Sequence, residues 1–68
     1  MTIYELVLNI GAHLQENTLY TDKVQAVKDS EELRKESQGG TECWLFVWSE
    51  SDRPGKFEIE DSTLLWMK

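Results

Sequence analysis

The residues that could carry nucleophilic or acid–base chemistry are few, because the chain has one histidine, His13, and one cysteine, Cys43. A Ser-His-Asp or Cys-His arrangement would have to use His13 together with Cys43 or a distant serine. Cys43 lies in the most apolar run of the chain, where a thiol acts as a small buried hydrophobe. His13 is most simply a boundary residue whose ring tip reaches water. We therefore expect no catalytic residue and no enzymatic activity.

Carboxylates are abundant, with 13 Asp and Glu residues, but their pattern does not predict a reactive site. Glu58 with Glu60, or Asp52 with Asp61, could be spatial neighbours. Acid–base work would also need a cleft that pushes the two pKa values of such a pair apart. The sequence contains neither a calcium-binding loop nor a phosphate-binding glycine loop. It predicts no metal site and no cofactor.

The most informative stretch is Cys43–Trp48 (CWLFVW), the one run of six consecutive apolar residues. Successive side chains of a strand point to opposite faces, so Trp44, Phe46 and Trp48 share one face and the residues between them share the other. Both faces are then apolar, which is the pattern of a strand that is covered on both sides. Two of the three tryptophans lie in this run.

A chain of 68 residues has little material to cover two faces of a strand. It forms one domain, residues 1–68, which buries only ~60% of the surface that its unfolded form exposes. Disulfides, metals or oligomerisation usually stabilise domains of this size. The single cysteine cannot close an intramolecular disulfide, and a lone thiol fits a reducing compartment. The core must therefore rest on the tryptophans or on self-association.

The N-terminal segment, residues 2–16, is predicted as an amphipathic helix. Thr2 followed by Glu5 has the spacing of a capping box, and Asn17 suits a helix end. A single apolar stripe follows helical spacing, and it consists of Ile3, Leu6, Val7, Ile10 and Leu14.

The middle of the chain gives weaker signals. Residues 19–28 are rich in Thr, Tyr and Val and predict a short strand. Residues 29–40 are charged and predict either a short helix, with Asp29 as its candidate cap, or a mobile loop. Gly39-Gly40 ends this segment.

The C-terminal part of the chain predicts strands. A strand over 41–49 is followed by a type II turn with Pro54-Gly55 at its centre, because proline presets φ and glycine supplies a positive φ. A half-buried strand over 56–61 follows the turn. Residues 63–68 (TLLWMK) are too apolar for a free tail and are either a last strand or a helical turn.

These elements predict an α+β fold, with an N-terminal amphipathic helix packed on one face of a small antiparallel sheet of three to four strands. One helix covers one face of such a sheet, so an apolar stripe remains on the other. Three occupants could cover that stripe: the C-terminal tail, a second copy of the chain, or a partner.

Net charge limits the partners. Seven basic residues against 13 acidic ones give −6, which opposes non-specific binding to nucleic acid and stacking of unpaired bases on the aromatic row. The N-terminus lacks the basic region of a signal peptide, and no apolar run approaches the ~20 residues of a membrane span. We expect a cytoplasmic location.

The preferred functional prediction is a non-enzymatic, acidic protein-binding module that recognises a basic partner surface, with a homodimer as a further possibility. By analogy, small proteins of this kind serve as inhibitors or adaptors encoded by phages or mobile elements. The alternative is a nucleic-acid mimic that occupies a basic protein cleft, and a small enzyme is the least favoured reading. The predicted partner face consists of Trp44, Phe46, Trp48, Glu50, Asp52, Glu58 and Glu60.

Overall fold

A computed structural model describes residues 1–12 and 14–68. It contains four strands and one helix in the described residues. In chain order they are β1 Thr2–Ile10, β2 Leu14–Tyr20, α1 Lys23–Glu36, β3 Thr41–Glu50 and β4 Phe57–Met67.

The four strands form one antiparallel sheet in the order β2-β1-β3-β4. The two central strands, β1 and β3, pair over their full lengths, from Thr2 opposite Ser49 to Ile10 opposite Thr41. The helix connects the edge strand β2 to the central strand β3 and packs on one face of the sheet. The predicted α+β class with a small antiparallel sheet is confirmed, and the helix is not N-terminal.

The predicted helix over residues 2–16 is wrong, because this segment forms the hairpin of β1 and β2. The chain reverses after Ile10, where Gly11 takes a φ of 65° that favours glycine. Leu6, Val7 and Leu8 are all buried, so the middle of β1 is shielded from water on both faces. The sequence of such a strand is a nearly continuous apolar run, and some of its apolar residues then also have the spacing of a helical stripe.

The predicted strand over residues 19–28 is wrong beyond Tyr20, because β2 ends at Tyr20 and the helix begins at Lys23. Asp22 is the cap of the helix, and its side chain accepts a hydrogen bond from the Val24 amide at 3.0 Å. Asp29, the candidate cap in the sequence, lies inside the helix. The helix ends before the glycine pair, with Ser37 as its C-cap.

Small side chains let the helix approach the sheet. Ala26 and Ser30 are the two buried helical residues, and Leu33, three positions further on, packs against the core. Their i, i+4, i+7 spacing is that of one helix face. This helix face could not be predicted from the sequence, because alanine and serine are not hydrophobic enough to form a recognisable apolar stripe.

The core lies between the helix and one side of the sheet. It is formed by Leu6, Leu8, Ala26, Cys43, Leu45 and Trp66. The Trp66 indole N–H donates a buried hydrogen bond to the Ser30 carbonyl at 3.0 Å. This bond ties the last strand to the middle of the helix and satisfies a polar group that burial would otherwise penalise.

The C-terminal half of the chain forms strands as predicted, although Ile59, in the strand predicted as half-buried over 56–61, is 53% exposed. The strand predicted over 41–49 is confirmed. The turn at Pro54-Gly55 is confirmed too, with Gly55 at a φ of 82° and the Lys56 amide donating to the Arg53 carbonyl at 3.2 Å. Residues 63–68 form no separate element, because β4 runs through to Met67.

Two register shifts interrupt the pairing of β3 with β4, between Cys43 and Trp44 and between Val47 and Trp48. The first shift lets Trp66 reach the core while Leu64 pairs with Trp44 on the opposite face. The tail is therefore part of the sheet, and it does not fold over the face that the helix leaves uncovered.

Substituting Ala26 tests the close approach of helix and sheet. Ala26→Leu should lower the free energy of unfolding by about 1–3 kcal/mol, because Ala26 is fully buried and the added methyl groups overpack the core. Val24→Leu is the control, since Val24 is 75% exposed on the same helix, and it should change that free energy by less than about 0.5 kcal/mol. Urea unfolding followed by circular dichroism measures both. Equal effects of the two substitutions would contradict this packing.

Candidate functional site: the uncovered face of the sheet

The helix covers the side of β3 that carries Cys43 and Leu45, so the aromatic row lies on the other side. Trp44, Phe46 and Trp48 are each half-buried there. The rings of Trp44 and Phe46 are stacked, with centroids 6.3 Å apart and planes inclined by 19°. The row is an ordered surface of the sheet.

Apolar side chains extend this surface across all four strands. We call it the open face and define its apolar part by register with the aromatic row: Ile3, Val7, Leu19, Trp44, Phe46, Trp48, Phe57, Ile59, Leu64 and Met67. Four of them are well exposed, at 65% for Leu19, 53% for Ile59, 40% for Leu64 and 66% for Met67. Exposed apolar side chains grouped on one face of a sheet are typical of an interaction site.

Two carboxylates on the open face accept hydrogen bonds from the tryptophans. The Trp44 indole N–H donates to Glu42 at 3.0 Å, and the Trp48 indole N–H donates to Glu5 at 3.0 Å. The Asn17 amide donates to the second oxygen of Glu5 at 2.7 Å. These bonds fix the rings and the carboxylates relative to each other, so the open face presents negative charge at defined positions.

The predicted acidic residues do not all lie beside the aromatic row. Glu50 follows the alternation of the row, and its carboxylate accepts a hydrogen bond from the Gly55 amide at 3.2 Å. Asp52 is exposed in the β3–β4 loop. Glu58 pairs with Ser49, on the other side of the sheet, and the Glu60 carboxylate accepts a hydrogen bond from the Ser49 hydroxyl.

The sequence analysis missed Glu5 as a residue of this surface, because it placed Glu5 on the polar side of a helix. In a strand, Glu5 is flanked by Leu19 and Phe46 in register. The signal that could have found it is Gly11-Ala12, which interrupts the apolar pattern where a hairpin reverses. The place of Glu42 on this face could be predicted from the alternation of side chains in the 41–49 strand, because Glu42 lies two residues before Trp44.

None of the seven Lys and Arg residues lies in the four strands that form the open face. The helix carries Lys23, Lys28, Arg34 and Lys35, and the β3–β4 loop carries Arg53 and Lys56. The seventh is Lys68, whose ammonium group donates a hydrogen bond to the Ser37 carbonyl at 2.9 Å, on the helix side. In the described residues, the one ion pair joins Lys35 to Glu32 on the helix surface at 3.5 Å. Glu5 and Glu42 are therefore not neutralised by a cation of the described chain.

Cys43 and Tyr20 are the two groups whose pKa is clearly raised. Burial raises the pKa of the fully buried Cys43 thiol to about 11, as expected of a small core residue. Burial, followed by the hydrogen bond to Asp29 at 2.8 Å, raises the pKa of Tyr20 to about 12. Both shifts favour the neutral form. The expectations for His13 lie outside the described residues.

Metal ligation has no evident centre in residues 1–12 and 14–68, where no three His, Cys, Asp or Glu side chains are grouped to hold an ion. The described helix is too short and too polar to cross a membrane. Comparisons of the chain with protein-family models, with curated proteins and with solved structures gave no match.

The raised pKa of Cys43 predicts a loss of stability at alkaline pH. An unfolded thiol ionises near its ordinary pKa of 9.0, whereas the folded thiol stays protonated up to about 11. The unfolded state therefore binds fewer protons in this range, and the free energy of unfolding falls as the pH rises from 9 toward 11. Cys43→Ala should lack this part of the pH dependence between pH 9 and 10. Urea unfolding measures the free energy of unfolding of the unsubstituted and Cys43→Ala chains at each pH. If this free energy falls equally in both chains, the burial of the thiol is contradicted.

Proposed function

We propose that the protein is a non-enzymatic binding module whose open face docks onto a basic surface of another protein, where it acts as an inhibitor or adaptor. The observation that carries this proposal is the composition of the open face. It is apolar across four strands and carries the carboxylates of Glu5, Glu42 and Glu50, while none of the seven Lys and Arg residues lies in these strands.

The apolar part would supply most of the affinity. Binding energy concentrates in buried aromatic and aliphatic anchors surrounded by groups that exclude water. The exposed side chains of Ile59, Leu64 and Met67 continue the half-buried aromatic row toward the β4 edge. Removing them from water stabilises a complex by roughly 25 cal/mol for each Å² of apolar surface, before the costs of association.

The carboxylates would supply orientation and choice of partner. Charge complementarity across an interface raises the association rate and penalises partners of like charge. Because Glu5 and Glu42 are held by indole hydrogen bonds, their charges need little reorganisation on binding. Arg and Lys on a partner can pair with them and stack on the neighbouring rings.

A second copy of the chain fits this face poorly. In a two-fold dimer the same surface meets itself, so carboxylates of both copies would be brought into one interface without a basic residue of the face to compensate them. Each copy also carries a net charge of −6. Like-charge juxtaposition of this kind costs free energy, which favours a different, basic partner.

The arrangement of carboxylates on the open face argues against nucleic-acid mimicry. A mimic needs rows of carboxylates that imitate phosphates, whereas here apolar side chains separate the carboxylates. A complex anchored by apolar contacts persists at high salt, whereas a complex held by charge alone dissociates. The cytoplasmic location expected from the sequence remains a prediction.

Matched substitutions on two faces test the proposal. Ile59→Ser removes an exposed apolar side chain, 53% accessible, from the open face, and Val24→Ser removes one that is 75% accessible from the outer face of the helix. Both should leave the fold intact, because neither residue belongs to the core. Affinity capture from cell extract at two salt concentrations, with quantitative mass spectrometry, should show a basic protein retained by the unsubstituted and Val24→Ser chains and lost with Ile59→Ser.

Three outcomes would contradict the proposal. If the Ile59→Ser chain retains every captured protein, the open face takes no part in binding. Loss of the captured protein at high salt, with no effect of Ile59→Ser, would instead favour the charge-based mimic. Equal loss with both substitutions would show that neither face is specific.

A further inference from the structure

One cavity on the open face combines a fixed carboxylate with aromatic and aliphatic walls. It measures ≈ 190 Å³ and lies where the start of β1, the end of β2, the end of β3 and the start of β4 come together. We call it the Glu5 pocket, and its lining consists of Ile3, Glu5, Leu19, Trp48 and Phe57.

The Glu5 carboxylate is positioned from two sides. One oxygen accepts the Trp48 indole N–H at 3.0 Å, and the other accepts the Asn17 amide at 2.7 Å. An ionised carboxylate has about four acceptor positions, so about two remain for a ligand. No Lys or Arg in the described chain forms an ion pair with it. The pocket therefore holds a half-buried, oriented negative charge without a counter-ion from the described chain.

The walls suit a long cationic side chain. Trp48 and Phe57 line the pocket, and the face of an aromatic ring attracts a cation, most strongly in tryptophan. Ile3 and Leu19 offer an aliphatic surface for the methylene stem of such a side chain. A planar guanidinium can stack on a ring while it donates two parallel hydrogen bonds to a carboxylate, which an ammonium group cannot do.

We propose that the Glu5 pocket binds one arginine side chain of the partner polypeptide. The guanidinium pairs with the free acceptor positions of Glu5 and stacks against Trp48, and the stem packs on Ile3 and Leu19. This proposal rests on the proposed function, because it names the partner group that the open face recognises at one end. It can also be tested by a measurement that needs no identified partner.

The indole N–H signals of the three tryptophans provide that measurement. They donate to three different acceptors: Trp44 to Glu42, Trp48 to Glu5 and Trp66 to the Ser30 carbonyl. The probe is a blocked tripeptide, acetyl-Gly-Arg-Gly-amide, titrated into ¹⁵N-labelled protein. The matched probe replaces arginine by citrulline, which has nearly the same shape and no charge. The arginine peptide should move the Trp48 signal saturably, with millimolar affinity, and the citrulline peptide should leave it in place.

Substitutions locate the effect. Glu5→Gln keeps the size of the side chain and an oxygen for the Trp48 indole, and it should weaken the arginine peptide about tenfold, because a charge-assisted pair is lost. Glu16→Gln removes one charge from an exposed position of β2 whose register partner, Leu8, belongs to the helix-side core, and it should leave the affinity unchanged.

The proposal is overturned if the arginine peptide leaves the Trp48 signal unmoved, if the citrulline peptide moves it equally, or if Trp44 and Trp66 respond as strongly as Trp48. The peptide comparison decides the question on the unsubstituted chain even where Glu5→Gln fails to fold. Capture of a partner that is lost with Ile59→Ser but unaffected by a folded Glu5→Gln chain would refute the arginine pocket and leave the proposed function standing.

Discussion

The structure depends on one constraint: a single helix of 14 residues must stabilise a four-stranded sheet whose central strands are apolar on both sides. The helix can cover only one side. It covers the aliphatic one, where Cys43 and Leu45 meet Ala26, and Trp66 is anchored to the Ser30 carbonyl. The small helical side chains permit this close approach, and the aromatic side of β3 is left facing outward.

The uncovered side is ordered by its own interactions. Val7 is only 3% exposed although no helix covers its face, and it lies in register between Asn17 and Trp44. The large rings thus shield the sheet from water in part, and two indole–carboxylate bonds hold them. The same bonds place negative charge within an apolar surface. Binding at the open face, as proposed, would therefore use the same residues that order this side of the sheet.

The sequence predicted the features that depend on local alternation and turn chemistry. The run from Cys43 to Trp48 carries an aromatic residue at every second position, which favours a strand, and Pro54-Gly55 specifies the turn that follows. The residues from Ile3 to Ile10 fitted two periods at once, because a strand buried on both faces has no polar alternation. In the structure β1 pairs with β2 and with β3, which begins more than 30 residues after β1 ends, and these pairings select the strand.

The helix and the Glu5 pocket were harder to predict for related reasons. Ala26 and Ser30 face the core because they are small, and hydrophobicity alone does not identify such positions. Glu5 reaches Trp48 across 43 positions of sequence, a contact that exists only once the β1–β3 register is known. The uncovered stripe itself was predicted from a simple count of faces and helices.

The most direct test is the molar mass of the isolated chain in solution, measured by light scattering from micromolar to millimolar concentration and at low and high salt. If the open face serves a different, basic partner, the mass should remain that of one chain, 7.9 kDa, throughout. A mass twice as large that returns to 7.9 kDa in the Ile59→Ser chain would contradict the account, because the face would then be covered by a second copy of the protein.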